Sequence, residues 1–226
     1  MLNFSAVRLA ITDDAYILFA ATPLTTLSSA VVGGGFQQSC TILNRHVPLN
    51  YDCSNPVDDL QQFASALNIT GLFVGMLTGV PMSGTRVVNV RDEDLSVSSI
   101  ITAGVSNAVT SGVSKPVLFT PGTVNMVVLV DANLIPAAMV NAVITATEAK
   151  ANVLMECGVK SGEGDVATGT STDAIVIACS GRGAPLLYAG PGTDVGYLIG
   201  RSVRECLIQA LEPCSIFYPE RVLREQ

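Results

Sequence analysis

The chain of 226 residues holds a single histidine, His46, and none of its six cysteines belongs to a CxxC pair. Cys40, Cys53, Cys157, Cys179, Cys206 and Cys214 are spread too widely for a zinc site of the usual Cys/His kind, so no resident metal is expected. They read instead as buried or incidental thiols. Charge is also scarce: 14% of residues are charged, and 12 basic residues stand against 19 acidic ones, a formal net charge of -7. Phosphate binding depends on clustered Lys and Arg, so nucleic acid is excluded as the main partner. The densest basic group, Arg201, Arg204, Arg221 and Arg224, reads as a solvated helix face. The longest apolar stretch, Val124 to Ala146, is interrupted by Asp131, Asn133, Pro136 and Asn141, which excludes a membrane span. Met1 to Ala10 lacks the order of an export signal, so a cytoplasmic location is expected.

Hydrophobic residues make up 49% of the chain, enough for a sizeable core. Strands are expected at Val7–Ile11, Tyr16–Ala20, Leu24–Val32 and Thr41–Leu43. A helix follows from Pro56 to Leu67, with Asn55 as its cap and Pro56 in its first turn. Strands return at Leu72–Leu77, Arg86–Val90 and Val97–Ala103, and a loop rich in small residues covers Ser106–Pro121. The compact apolar runs Asn125–Val130 and Ala174–Cys179 read as buried strands. Pro136–Cys157 and Asp194–Leu211 read as long helices, the first with Met139, Val143, Ala146, Lys150 and Val153 in an imperfect apolar period. Strands with a few segregated helices point to a single α+β domain over residues 1–226. Mainly antiparallel sheets would be layered, with the helices outside.

Five polar or glycine-rich stretches could carry chemistry. Ser28 to Gly35, with Ser29 and Gly34, would let a ligand approach the backbone closely. Asn44 and His46 follow, the latter the one side chain titrating near neutrality without a large shift. Ser106 and Asn107 lie after a strand and could supply hydrogen bonds. Asp131 or Asn133 could cap the helix that follows them. Glu148, on an apolar helix, is a candidate general base. The densest stretch is Ala167 to Ala174, where Thr168, Thr170, Ser171 and Thr172 accompany Asp173. Its amides and hydroxyls could hold a developing oxyanion, and Asp173 could orient water or a hydroxyl. Tyr188, Gly190 and Gly192 precede Thr193, a natural cap for the last long helix.

Taken in order, LSSAVVGGG at 27–35, LN at 43–44, TAGVSNA at 102–108, VNMVVLVDANL at 124–134, ITATEAK at 144–150, ATGTSTDAIVIA at 167–178 and YAGPGTDVGYLIGRSV at 188–203 resemble the adenosylcobinamide amidohydrolase family. The resemblance implies hydrolysis of the amide that joins aminopropanol to the corrin side chain, giving adenosylcobyric acid and 1-amino-2-propanol in cobalamin salvage. The small-molecule corrinoid substrate would carry the cobalt itself. Amide hydrolysis needs an activated nucleophile, an oxyanion donor and an acid for the amine. Glu148, Asp173 and Thr170 are the catalytic candidates. Ser29, Gly34, Asn44, His46, Ser106, Asn107, Asn133, Thr168, Ser171, Tyr188, Gly190 and Gly192 are the candidates for substrate contact. Asn107, Asn133, Glu148, Thr170 and Asp173 are expected to share one cleft. Two rivals stay open: a non-catalytic corrinoid-binding protein, and an autoprocessed hydrolase with an N-terminal Thr or Ser nucleophile. Association into a homo-oligomer is also open.

Overall fold

A computed structural model describes residue 4, residues 6–116 and residues 122–215, with side chains described through Leu211. The chain opens with β1 (Val7–Ile11) and the long β2 (Ala15–Ser28), then returns through β3 (Gly35–His46). Helix α1 (Pro56–Ala66) leads to β4 (Phe73–Thr78), and a short 3-10 turn precedes the hairpin of β5 (Arg86–Asp92) and β6 (Leu95–Ala103). The two-residue β7 (Ala108–Val109) comes before β8 (Val124–Val130), and β9 (Asn133–Leu134) before α2 (Pro136–Glu156). The chain ends with β10 (Gly169–Thr170), β11 (Ala174–Cys179), β12 (Pro185–Leu186) and α3 (Asp194–Ser215).

Eight strands form one mixed sheet in the order β4-β3-β2-β11-β8-β6-β5, with β1 on the first half of β2. Most pairings are antiparallel, while β3–β4 and β11–β8 run parallel. The sheet folds back on itself. From β4 to β8 there are four strand spacings, about 19 Å if the sheet were flat, yet Asn125 Nδ2 of β8 donates to Leu77 O of β4 at 2.8 Å. The corner lies in the β2–β3 hairpin, whose register jumps between the pairs Phe19–Thr41 and Leu24–Ser39. Four residues of β2, ending in Pro23, therefore oppose Cys40 alone. Such a bulge bends a strand, and proline, having no N–H for the ladder, fits there. Residues 16–20 and 24–28 are thus one bent strand that serves both layers.

Three apolar clusters fill the spaces this fold creates. Between the layers, Tyr16, Leu18, Ile42, Val74 and Met76 meet Ile100, Val127, Leu129 and Val176. Outside the first layer, Leu60 and Ala64 of α1 pack on Ile17, Leu43 and Phe73. Outside the second, α2 and α3 cover Met126, Val128 and Val130. Strand β8 is buried on both faces, the reason its sequence is continuously apolar after Asn125. Burying each such side chain contributes about 1.5–3 kcal/mol.

Capping departs from the sequence expectation at two places. Asn55 precedes α1 without a side-chain capping bond, although Pro56 does open the helix. Helix α2 begins at Ile135 and Pro136. Asp131 accepts instead from Ser180 Oγ (2.8 Å) and pairs with Arg182 (3.0 Å). Thr193 does cap α3, its Oγ1 accepting from Gly196 N at 3.1 Å. Among the described residues no helix is long and apolar enough to cross a membrane.

Candidate functional site

Asp173 lies between β10 and β11, where four donors converge on its carboxylate. Antiparallel pairing of Gly169 with Val109 and of Thr170 with Ala108 fixes β10 against β7. The tight turn at Ser171 and Thr172 then brings Asp173 back under Thr170. Thr170 Oγ1 donates to Asp173 Oδ1 at 2.5 Å, and Thr170 N to Oδ2 at 3.2 Å. Val124 N, the first amide of β8, donates to Oδ1 at 3.1 Å. The fourth donor is Lys150 Nζ of α2, which ion-pairs with Oδ2. The side chains of Lys150 and Asp173 are only 8% and 15% exposed, and Thr170 is buried. A lysine charge is expensive to bury unless it is paired, and Asp173 supplies the partner.

Close packing around the pair depends on Gly169. A Cβ there would lie 2.5 Å from Asp173 Oδ2 and 2.7 Å from Lys150 Nζ. On the solvent side, exposed Ser171 accepts from Asn107 Nδ2 at 2.8 Å. Gly122 presses against Ser106 and Asn107 at φ +154, where a Cβ would approach both side chains to 2.6 Å. Thr172 Oγ1 donates to Gly122 O (2.9 Å), and Thr168 Oγ1 accepts from Ser111 N (2.9 Å). Three loops are thereby stitched into one rim of hydroxyls and amides.

A buried polar chain runs inward from this rim. Thr123 Oγ1 contacts both Thr172 O (2.7 Å) and Asn125 Oδ1 (3.0 Å). Asn125 Nδ2 donates to Asn44 Oδ1 (2.8 Å), and Asn44 Nδ2 to Thr102 Oγ1 (3.1 Å). Tyr16 is buried beside Asn44, and desolvation holds its phenol far above the ordinary tyrosine range.

The structure therefore unites part of the expected set. Asn107, Thr168, Thr170, Ser171 and Asp173 share the rim, with Ser106 beside them. Asn44 reaches it through Asn125. Ser29 flanks it, its Oγ accepting from Ile175 N at 3.1 Å. His46 ends β3 half-buried, and Gly34 lies exposed in the β2–β3 turn. Among the described residues no hydrogen bond joins the His46 imidazole to the Asp173 cluster.

Glu148 and Asn133 do not join the cluster. Glu148 is exposed. At 100° per residue it points about 160° away from Lys150, which faces Asp173, so the buried surroundings expected of it are absent. Asn133 belongs to β9, beyond the far end of the seven-residue β8, about 20 Å from Val124. Tyr188 is exposed, and the Gly190 carbonyl accepts from Thr193 N (2.9 Å) and Thr193 Oγ1 (2.8 Å). This segment closes the start of α3 and is tied to α2 by Thr145 Oγ1 donating to Ala189 O (2.9 Å). Shallow grooves of about 310 and 460 Å³ lie there, lined by Leu186, Tyr188 and Val195 and by Tyr197, Arg201 and Ile208. Charge, hydroxyls and burial coincide at Asp173 rather than at these grooves.

Lys150 is the member of the Asp173 cluster that the sequence reading did not single out as a site candidate. The signal was present: Ala138, Met139, Ala142, Ala146, Ala149 and Val153 form the buried stripe of α2, and Lys150 lies on it. A lysine on an apolar stripe requires a buried partner.

Residues 4–216 match the adenosylcobinamide amidohydrolase family. A protein of that name from Methanosarcina mazei is 31% identical over 193 residues, covering 81% of this chain and 88% of its own length. Another of that name, from Halobacterium salinarum, is 32% identical over 154 residues, covering 65% of this chain and 62% of its own. The solved PH0078 protein from Pyrococcus horikoshii OT3 superposes with a TM-score of 0.48 at 11% identity, covering 91% of this chain and 79% of that one. By the family match over nearly its whole described length, the chain belongs to the adenosylcobinamide amidohydrolase family.

Proposed function

We propose that this protein hydrolyses the aminopropanol amide of adenosylcobinamide, and that it does so at the Asp173 cluster. The observation that carries the location is the single carboxylate that joins a buried ammonium, Lys150, to a hydroxyl, Thr170. An amide has a weakly electrophilic carbonyl and a poor leaving group, so its cleavage needs a held nucleophile, charge to match the developing oxyanion, and a proton for the amine. The cluster offers all three kinds of group within one small volume. The exposed rim of Ser106, Ser171 and half-buried Thr168 would meet the polar side chains at the corrin edge. The reaction takes one water and yields adenosylcobyric acid and 1-amino-2-propanol.

The setting proposed with it is cytoplasmic, without a resident metal, since the chain has one histidine and no paired cysteines. Incubation of the purified chain with adenosylcobinamide, followed by mass detection of both products, tests the reading. Release of aminopropanol that persists in a chelator is the expected result. Tight corrinoid binding with no product over hours would instead make the protein a carrier.

A further inference from the structure

We propose that Thr170 is the nucleophile of the hydrolysis and that the reaction passes through an ester between the corrinoid acyl group and Thr170 Oγ1. The proposal rests on the amidohydrolase reading and adds the covalent step. The geometry separates Thr170 from its neighbours. Ser171 and Thr168 are also hydroxyls of this turn, but Ser171 is held by the Asn107 amide and Thr168 Oγ1 by the amide of Ser111. Thr170 alone among the three donates to a carboxylate, at 2.5 Å from Asp173 Oδ1. Activation by an adjacent base is what a weak hydroxyl nucleophile requires. The other oxygen of Asp173 is bound to Lys150, so the proton acceptor and a fixed positive charge lie on either side of one carboxyl group.

The step balances as follows. Thr170 Oγ1 bonds to the amide carbon as its proton passes to Asp173 Oδ1, and the carbonyl oxygen gains the negative charge. Lys150, paired with Asp173 Oδ2, is the positive charge of the cluster. Collapse of the tetrahedral species breaks the C–N bond, and the nitrogen leaves as the free amine with the proton that Asp173 took. Water then adds to the Thr170 ester, giving its proton to Asp173. Oγ1 departs and recovers that proton, and the carboxylic acid is released. One water is consumed, and no oxidant or further reactant is needed. Lys150 is a positioning residue in this scheme, acting through Asp173.

The deciding experiment follows both products in the presence of hydroxylamine, which can intercept an ester but leaves the amide-cleavage step unchanged. The parent and Thr170→Ser should release aminopropanol and divide the acyl group between cobyric acid and its hydroxamate. Thr170→Val keeps the shape and loses the hydroxyl. It should release neither product above about one part in 10³ of the parent, while melting within a few degrees of it. If the parent releases aminopropanol but forms cobyric acid alone, or if folded Thr170→Val keeps releasing the amine, the ester is overturned and water attacks directly. A parent that binds adenosylcobinamide and releases nothing sinks the amidohydrolase reading itself.

Discussion

Lys150 of α2 and Asp173 of the β10–β11 turn form an ion pair that is almost wholly screened from water, 23 residues apart in sequence. The pair fastens the C-terminal half of α2 to the end of the sheet where Val124 and Ala174 begin the central parallel strands β8 and β11. Val124 N and Thr170 complete the coordination of the carboxylate, so loss of either charge strands the other in a buried place.

Lys150→Met should accordingly lower stability by about 3–5 kcal/mol, the usual cost of orphaning one member of a buried pair. Asp173→Asn should be damaging as well, because it orphans the ammonium. The double variant should be less damaged than the sum of the two by about 1–3 kcal/mol. Urea unfolding of the four proteins measures the coupling, and strict additivity would show that the two groups do not act as a pair.

Glu148→Gln should leave turnover within about two-fold of the parent, since an exposed helix carboxylate away from the reacting groups contributes little. Asp173→Asn should reduce turnover by at least about 10²-fold, the usual contribution of a positioned base. Steady-state rates for both variants, each checked for its melting temperature, test the assignment. A severe defect in Glu148→Gln would move the base to the other face of α2.

Gly169→Ala introduces a Cβ 2.5 Å from Asp173 Oδ2 and 2.7 Å from Lys150 Nζ. The β10–β7 pairing restrains the backbone, so the Asp173 carboxylate or the Lys150 ammonium must shift. The expected outcome is a loss of turnover comparable with that of Asp173→Asn, accompanied by a fall of about 1–3 kcal/mol in stability. The same change at Gly162 meets open space and should be neutral. Equal activity in the two variants would mean that Gly169 gives no close approach.

Burial pushes the thiols of Cys179 and Cys206 from 9.0 up to about 12. The folded chain therefore keeps these protons between about pH 9 and pH 12, while the unfolded chain releases them. With fewer protons on the unfolded state, stability falls as pH rises through that window. Replacing both residues by Ala should flatten this alkaline decline, as read from unfolding midpoints between pH 8 and 11. At neutral pH the native protein should alkylate at exposed Cys40 and Cys53 but not at Cys179 or Cys206. Rapid labelling of either buried thiol would contradict the packing of β11 and α3.

What the sequence determined by itself was local. The apolar run at β11, the cap at Thr193 and the helical period through Leu198, Val203, Cys206 and Leu207 specify their elements because hydrogen-bonding and side-chain periods are short-range properties. The hydroxyl-rich turn could be singled out for the same reason: four hydroxyls and a carboxylate in succession need no tertiary partner to be noticed. Which of those groups face one another was decided elsewhere. Glu148 and Lys150 are two residues apart on one helix, and only the side of α2 that packs on the sheet shows which of them is buried. Asn107 and Asn133 flank the same strand, but β8 is rigid and extended, so its two ends stay about 20 Å apart. Asn125 and Asn44 meet because a bulge at Pro23 folds one layer of the sheet over the other. A contact between residues so distant in sequence depends on how the whole sheet closes, which no local pattern encodes. The tertiary structure thus brought Lys150 to Asp173 and Thr170, giving a buried charge a partner that satisfies it.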